Sequence, residues 1–377
     1  MNKVVNESSI PVYKPTLSGN EKKYVNECLD STWISSKGDF IPRFEREFSN
    51  YLNVQAATTV SNGTVALHLA LLALGIGPGD EVIVPTFTYV ASVNAISYVG
   101  ATPVFVDSLA DTWNLDPEQV AAKVTSHTKA VMIVHLYGNP CAMDQLEKIC
   151  NDNGLYLIED AAEAFGSIYK GKYVGSFGDV ATFSFFGNKT ITTGEGGMLT
   201  SNNEILIKRA VHLKNQSVSS SKEYWHDEVG FNFRMTNICA AIGVAQIENA
   251  DNVLTKKQKI ASWYCDGLRG LEVEFQFTEK DSVNSYWMVS ILAKNSVIRG
   301  EIRRYLKEHS IETRPLFYPA HTLPAFIQGE VFPVAESLSE RGINLPSYPD
   351  LSEKSVLQIC DLIKCCLSEL TSKVQAV

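Results

Sequence analysis

The stretch DVATFSFFGNKTITTGEGG, Asp179–Gly197, decides how the rest of the chain is read. Its first eight residues are almost all β-branched, aromatic or small, and the run is apolar on both faces. That is the pattern of a strand buried in a sheet covered on both sides. Beyond it comes a glycine-rich turn with one lysine, and Lys189 is the only charged residue from Val180 to Gly194. A lysine is costly to bury as a cation, and burial lowers its proton affinity toward the neutral amine. A neutral amine in a dry pocket is a nucleophile that forms a Schiff base with a carbonyl. The plainer alternative is a loop lysine that extends its head to solvent, so the surrounding residues have to decide.

Working outward, four more runs share the strand pattern: EVIVP (81–85), TPVFVD (102–107), AVMIVHLYG (130–138) and LYLIED (155–160). Helical segments separate them: TVALHLALLAL (64–74), YVASVNAISYV (89–99) and AMDQLEKICNDN (142–153). The first two end at Gly75 and Gly100, where helices stop readily. Strand and helix alternating in this way predict a mostly parallel, three-layer α/β domain across about 55–200. Farther on, one long helix is predicted through TNICAAIGVAQIENADNVLTKKQKIASWYCDGLRG (236–270). Strands in VEFQF (273–277) and SYWMVSILA (285–293), a helix at 299–310 and a closing helix over about 352–370 follow. The expected organisation is a large domain over 1–249 and a smaller α+β domain over 250–377. With no internal repeat and no low-complexity linker, the two should pack together.

Composition narrows the function. At 377 residues, 45% hydrophobic and 20% charged, the chain has the balance of a globular enzyme. A formal net charge of −9 argues against nucleic acid or an anionic membrane as the main partner. The eight cysteines, at 28, 141, 150, 239, 265, 360, 365 and 366, form no Cys-x-x-Cys pair, and no histidine pair has metal-ligand spacing. They read as small buried hydrophobes in a reducing compartment, with no metal site. Cys365 and Cys366 should point different ways on a helix. The opening MNKVVNESSIPVYKP lacks the apolar run of a signal peptide and no apolar stretch is long enough to span a bilayer. The expected location is the cytoplasm.

Several residues near strand ends carry chemistry. Asp160 closes LYLIED at the carboxyl edge, where open α/β sheets place ligands. Glu159 and Asp160 point to opposite faces, one expected toward solvent and the other toward the crevice. Alone, Asp160 reads equally well as the cap of a helix in AAEAFG. Paired with Lys189, it suits a pyridine cofactor, with the carboxylate holding a ring nitrogen protonated and the lysine holding an aldehyde. Ser61, Asn62, Gly63 and Thr64 precede a very apolar helix, so that turn offers free N–H groups and a helix dipole to a phosphate, or else is a simple cap. Tyr89 could stack on a flat ring or fill core. The want of other charges around Lys189 suggests an amine kept away from carboxylates that would hold it protonated. Asn188-Lys189-Thr190 lacks the glycine spacing of a P-loop, and no Gly-x-Gly-x-x-Gly turn follows the first strand, which disfavours an NAD oxidoreductase.

With these residues in hand, EDAAEAFGS, GDVATFSFFGNKTITTGEGGM and GFNFRMTNICAAIGVAQ resemble the DegT/StrS-type sugar-nucleotide aminotransferases, essentially end to end. STWISSKG (31–38), FFGNKTITTGEGGM and IETRPLFYPAH (311–321) carry a narrower likeness, to members that aminate C4 of a GDP-linked keto sugar. The resemblance implies the aspartate-aminotransferase fold, pyridoxal 5'-phosphate as cofactor, L-glutamate as amino donor with 2-oxoglutarate leaving, and a nucleotide-sugar acceptor. It implies that Lys189 carries the cofactor and Asp160 pairs with its ring nitrogen. By the same match Glu163 lies near the cofactor hydroxyl, Tyr89 stacks on the ring, and Asn62, Gly63, Thr64 and Ser184 hold the phosphate. Asn232 would reach that phosphate from a neighbouring subunit, with Arg234 organising its segment, which makes the expected assembly a homodimer with shared active sites. Trp33, Ser35, Lys37, Arg314, Tyr318 and His321 would close the sugar pocket. One branch of the family replaces the lysine with histidine and dehydrates its substrate; Lys189 disfavours that branch. A UDP- or dTDP-linked sugar is the nearest alternative substrate. A non-catalytic, cofactor-binding regulator is the alternative from another class.

Overall fold

The runs around Lys189 assemble as one twisted sheet in a computed structural model, which describes residues 9–327 and 329–375. The opening residues Met1–Ser8, part of the stretch read above for targeting, lie outside the described residues. The strands are β1 (Ala56–Val60), β2 (Glu81–Pro85), β3 (Thr102–Val106), β4 (Thr128–Val134), β5 (Tyr156–Asp160), β6 (Val180–Ser184) and β7 (Gly197–Ser201). Their spatial order is β1-β7-β6-β5-β4-β2-β3, and only β7 runs antiparallel to its neighbours.

Both faces of this sheet are covered, as the continuous apolar runs require. Val82, Val84 and Met132 pack with Leu67, Ala70 and Ile96 on one face. Ile83, Val131 and Ile133 turn to the other, against Met143, Leu146 and Cys150. Helices α1 (Glu21–Ser31) and α2 (Phe40–Leu52) cover the β6 and β7 end of that sheet, where Phe44 and Phe48 meet Phe183 and Phe185. Helix α3 (Gly63–Ala73) follows β1 and α4 (Ala91–Tyr98) follows β2.

The long helix expected over 236–270 is two helices, Asn237–Glu248 and Ala250–Gly267, broken at Asn249 (φ −107°, ψ 8°). The first belongs to the large sheet: a side chain at Gly243 would put its Cβ 2.5 Å from Phe44, so the helix lies flush on α2. The second turns away to bury Ile260, Ala261 and Tyr264 against a separate core. A straight helix cannot serve both surfaces, and the Asn249 amide ties the bend to Ser18 at 3.0 Å. The separate core lies on an antiparallel four-stranded sheet in the order Val273–Phe275, Val289–Ala293, Gly342–Leu345, Arg314–Pro315. Helices Ser296–Glu308 and Glu353–Gln375 complete it. The N-terminal segment joins this C-terminal region: Ile10 bridges Ile311, and Ser347 N–H donates to the Val12 carbonyl at 3.2 Å.

Five of the eight cysteines are buried, Cys239 is half-buried, and Cys265 and Cys365 are exposed on outward helix faces, so the expectation of burial holds for most and not for all. Cys366 is buried beside exposed Cys365, as their helical positions require. Among the described residues no helix is long and apolar enough to cross a membrane.

Candidate active site

The carboxyl ends of the parallel strands open into a cavity of about 720 Å³, walled on its far side by the C-terminal sheet. β5 delivers Asp160. Its Oδ2 accepts a hydrogen bond from Ser92 at 2.7 Å, and its Oδ1 accepts the Ala162 N–H at 3.1 Å. Residues 161–167 form turns, so Asp160 caps a turn and not the helix that AAEAFG suggested. Burial raises its proton affinity above the usual carboxylate range, against the pull of Ser92, Ala162 and Lys189. Such a carboxyl gains strongly from a cationic partner.

Glu159 does not reach solvent. Its side chain is fully buried, paired with His135 Nε2 at 3.1 Å and accepting N–H groups from Gly175, Phe177 and Gly178 at 2.7–2.8 Å. Burial opposes its ionisation, but His135 and those N–H groups more than offset that and hold it below the ordinary value. The Cys141 N–H donates to His135 Nδ1 at 3.1 Å, which fixes the ring proton on Nε2. The alternation of the strand was right; the layer beyond it is protein, because this sheet is covered on both sides.

Lys189 stands in the turn after β6, with 14% of its side chain exposed. Its Nζ lies 4.0 Å from the Trp287 ring centre and 3.9 Å from Glu163 Oε1. Burial lowers its proton affinity, while Glu163 and Asp160 pull it back up. Carboxylates are therefore near the amine after all, brought by another segment. Burial pushes Glu163 itself up to about 7, so near neutral pH it is only partly charged and stabilises the neighbouring ammonium less than a full carboxylate would. Tyr13 donates its hydroxyl to the Lys189 carbonyl at 2.6 Å, and the Trp287 indole donates to the Asn188 carbonyl at 2.6 Å.

Across the cavity, α3 begins at Gly63. Asn62 caps it by accepting the Val65 N–H at 3.0 Å, so the cap reading of this turn is correct as well. Two glycines press the turn against the sheet. A Cβ on Gly63 would sit 2.7 Å from the Ser184 Cβ, and one on Gly197 would sit 2.6 Å from the Asn62 carbonyl oxygen. The first-turn N–H groups, the positive helix end and the hydroxyls of Thr64 and Ser184 share the cavity.

Asn62, Gly63, Thr64, Tyr89, Asp160, Glu163, Ser184, Lys189 and Arg314 all line this one space. Tyr89 is 58% exposed and meets Phe317, so it faces the cavity and not the core. Other expected residues lie elsewhere in the chain. Trp33 and Lys37 line a second pocket of about 610 Å³ with Glu27, Arg43 and Asn237, and Ser35 is exposed beside it, its carbonyl accepting the Asn237 N–H. Asn232 is exposed and accepts both Nε and Nη2 of Arg234. Tyr318 is exposed outside the cavity lining. His321 is buried away from the cavity, held by Thr86 at 2.7 Å and Glu336 at 3.2 Å, with no ring nitrogen left for a sugar.

Trp287 and Phe317, which the sequence did not single out, complete the far wall. Buried Tyr137 stacks behind them, with ring centres 5.2 Å from Phe317 and 6.1 Å from Trp287. Asn344 and Glu195 also line the space. Glu195 was legible, since it lies in the Gly-Glu-Gly-Gly end of the stretch around Lys189. Ser92 is the second residue of α4, just after Tyr89. Nothing local marks Trp287 or Asn344.

The donor set fits pyridoxal phosphate: a desolvated amine for the aldehyde, a buried carboxyl for the ring nitrogen, an aromatic for the ring face, and a glycine-tightened helix start for the phosphate. Fold and site define a pyridoxal-phosphate-dependent aminotransferase of fold type I. The sequence profile of the DegT/DnrJ/EryC1/StrS aminotransferase family matches residues 15–364, and the chain belongs to that family. It is 58% identical to the GDP-perosamine synthase of Escherichia coli O157:H7 over 94% of this chain and 97% of that protein. It is 53% identical to the GDP-perosamine synthase of Vibrio cholerae, over 94% and 98%. Among solved structures, Spr1654 of Streptococcus pneumoniae in its PMP form superimposes with a TM-score of 0.93 at 29% identity, covering 97% of this chain and 100% of that one. DesV of S. venezuelae gives 0.87 at 34%, covering 91% and 93%.

Proposed function

We propose that this enzyme moves the amino group of L-glutamate to the C4 ketone of GDP-4-keto-6-deoxy-D-mannose, giving GDP-perosamine for surface polysaccharide (O-antigen) synthesis in the cytoplasm. The observation that carries the substrate is the 58% identity, over nearly the whole chain, with a protein named for that product. The cavity supports the reaction type through its one desolvated amine beside two buried carboxyls.

Bound pyridoxal phosphate supplies an aldehyde that carries the amino group and a pyridine ring that takes up electron density from the reacting carbon. The protein does the rest. Asp160, fixed by Ser92 and Ala162, would hold the proton on the ring nitrogen. The first turn of α3, with Asn62, Gly63, Thr64 and Ser184, would hold the phosphate. Tyr89 would cover the ring, and Glu163 would meet its hydroxyl. Lys189 would hold the aldehyde, and as a free amine it would take the proton from the α-carbon of the donor as general base and deliver a proton to C4 of the sugar as general acid. Arg314 and the aromatic far wall orient the substrate and exclude water.

We read the chain as a large domain over 1–249 and a small domain over 250–377, with the cavity at their seam. Trp33, Ser35, Lys37 and Asn232 do not reach their own chain's Lys189 cavity; in our reading they complete the site of a second copy in a homodimer, with Arg234 bracing Asn232. Tyr318 remains a sugar contact in this proposal only through such an arrangement, and His321 serves instead to brace the Thr86 turn.

The test is a panel of GDP-, UDP- and dTDP-linked 4-keto sugars with L-glutamate, read by mass spectrometry. Amination of the GDP-linked 6-deoxy sugar alone is expected. Preference for a dTDP- or UDP-linked sugar overturns the substrate, and no amination of any overturns the reaction.

A further inference from the structure

A second buried lysine lies behind the first. Lys257, on helix Ala250–Gly267, is 1% exposed, and burial brings its amine down to about 7. Its Nζ donates to the Trp287 carbonyl at 2.8 Å and to the Ser347 carbonyl, and lies 5.3 Å from the Tyr13 ring centre. No carboxylate pairs with it among the described residues. A neutral amine has two N–H donors, and here two carbonyls receive them.

What these partners do gives the contact its meaning. Trp287 lies over the Lys189 amine and donates its indole N–H to the Asn188 carbonyl. Tyr13 donates to the Lys189 carbonyl. The peptide groups on both sides of the Lys189 α-carbon are thus held by two aromatic residues, and both face Lys257. Trp287 and Ser347 lie just outside the ends of two paired strands, Val289–Ala293 and Gly342–Leu345, and Lys257 ties those flanks together. Both N–H donors are spent on backbone, and Lys257 lies outside the cavity lining, away from any substrate.

We propose that Lys257 is a positioning residue: by bonding the carbonyls of Trp287 and Ser347 and backing the Tyr13 ring, it fixes the aromatic clamp that aims the Lys189 amine. It acts on Lys189 through Trp287 and Tyr13, never on substrate. The inference rests on the reading that Lys189 carries the cofactor.

The test is Lys257→Met in the holoenzyme, which keeps the stem and removes the donors. Turnover per cofactor-bearing site is expected to fall about tenfold with KM for both substrates changed less than about twofold, since a misaimed amine affects the step and not the binding. The pH midpoint of the borohydride-sensitive visible band is expected to move down by about half a unit, as a loosened Trp287 favours the protonated form of the Lys189 nitrogen less. Trp287→Phe, which lacks the indole donor, should shift the midpoint the same way, and the double variant should go no further than the larger single. A wild-type midpoint with wild-type turnover in Lys257→Met, or additive shifts in the double variant, overturns the proposal. If Lys257→Met does not fold, an unshifted midpoint in Trp287→Phe overturns it alone. In cofactor-free protein, the rate at which an amine reagent labels Lys189, read by peptide mass, should change severalfold in Lys257→Met while surface lysines label as before; an unchanged rate overturns the proposal. A wild-type protein with no borohydride-sensitive band would instead remove the Lys189 assignment and leave this labelling result to judge the clamp.

Discussion

Lys189 and Lys214 are both amines that burial makes less basic, and the chain uses them in opposite ways. Lys214 Nζ donates to the Thr58 hydroxyl at 2.6 Å and the Thr59 carbonyl at 2.7 Å, and reaches Glu45 at 3.4 Å. Its protons all have places, and it acts as a strut between the helix that carries it and β1. Lys189 Nζ has an aromatic face at 4.0 Å, a half-willing carboxyl at 3.9 Å, and open space in front. Burial alone therefore does not mark a catalytic amine. Burial with unspent bonding capacity does.

The hardest blow to that comparison is Lys189→Ala. Turnover is expected to fall by about 10⁴ or more, with the borohydride-sensitive band lost and the melting curve little changed. Activity within tenfold of wild type would put the two lysines in one class. Asp160→Asn is expected to cost about 10²–10³ in turnover, because the carboxyl that holds the ring proton becomes a neutral amide. Steady-state rates at saturating substrate check it. Lys214→Met should instead cost stability, about 2–3 kcal/mol by urea unfolding, with turnover per folded protein preserved. A loss of turnover without loss of stability would make Lys214 more than a strut.

Glu163 sharpens the comparison through pH. Its folded proton affinity is raised, from 4.5 to about 7, so its contribution to stability is full below pH 4.5 and is lost as pH rises through about 7. In cofactor-free protein, Glu163→Gln should gain on wild type across that window and hold a plateau above it, on the order of 3 kcal/mol, read by thermal melts at stepped pH. A constant difference from pH 4 to 8 would mean that burial leaves the proton affinity of Glu163 unshifted. The smallest effect is expected from Ser92→Ala. Asp160 loses one of two hydrogen bonds that favour its charged form, and turnover drops by about three- to tenfold.

The cofactor side of the cavity was largely legible in the sequence. Asp160, Ser184, Lys189 and the Asn62–Thr64 turn each lie at or just beyond the end of an apolar run, so local pattern placed them at one sheet edge. The opposite wall was not legible. Trp287, Phe317 and Asn344 are distant in sequence, and their roles depend on how the C-terminal sheet meets the large one. His321 shows the converse: its motif suggested a sugar contact, but packing turned its ring to Thr86 and Glu336. The break at Asn249 was hidden for the same reason. Helical periodicity runs through it, and only the two surfaces being covered require a bend.

The placement of β7 bears on how the enzyme is made. Among the described residues β1 is an edge strand whose one strand partner is β7, with Ala56 opposite Ser201 and Val60 opposite Gly197. The phosphate-holding turn hangs from the end of β1 and is pressed home by Gly197. During synthesis, at about 5–20 residues per second, β1 emerges early and waits unpaired for β7. A nascent chain released before Gly197 has Asp160, Ser184 and Lys189 but lacks the strand that joins β1 to β6, so the turn at Gly63 is drawn onto Ser184 only as this sheet edge closes.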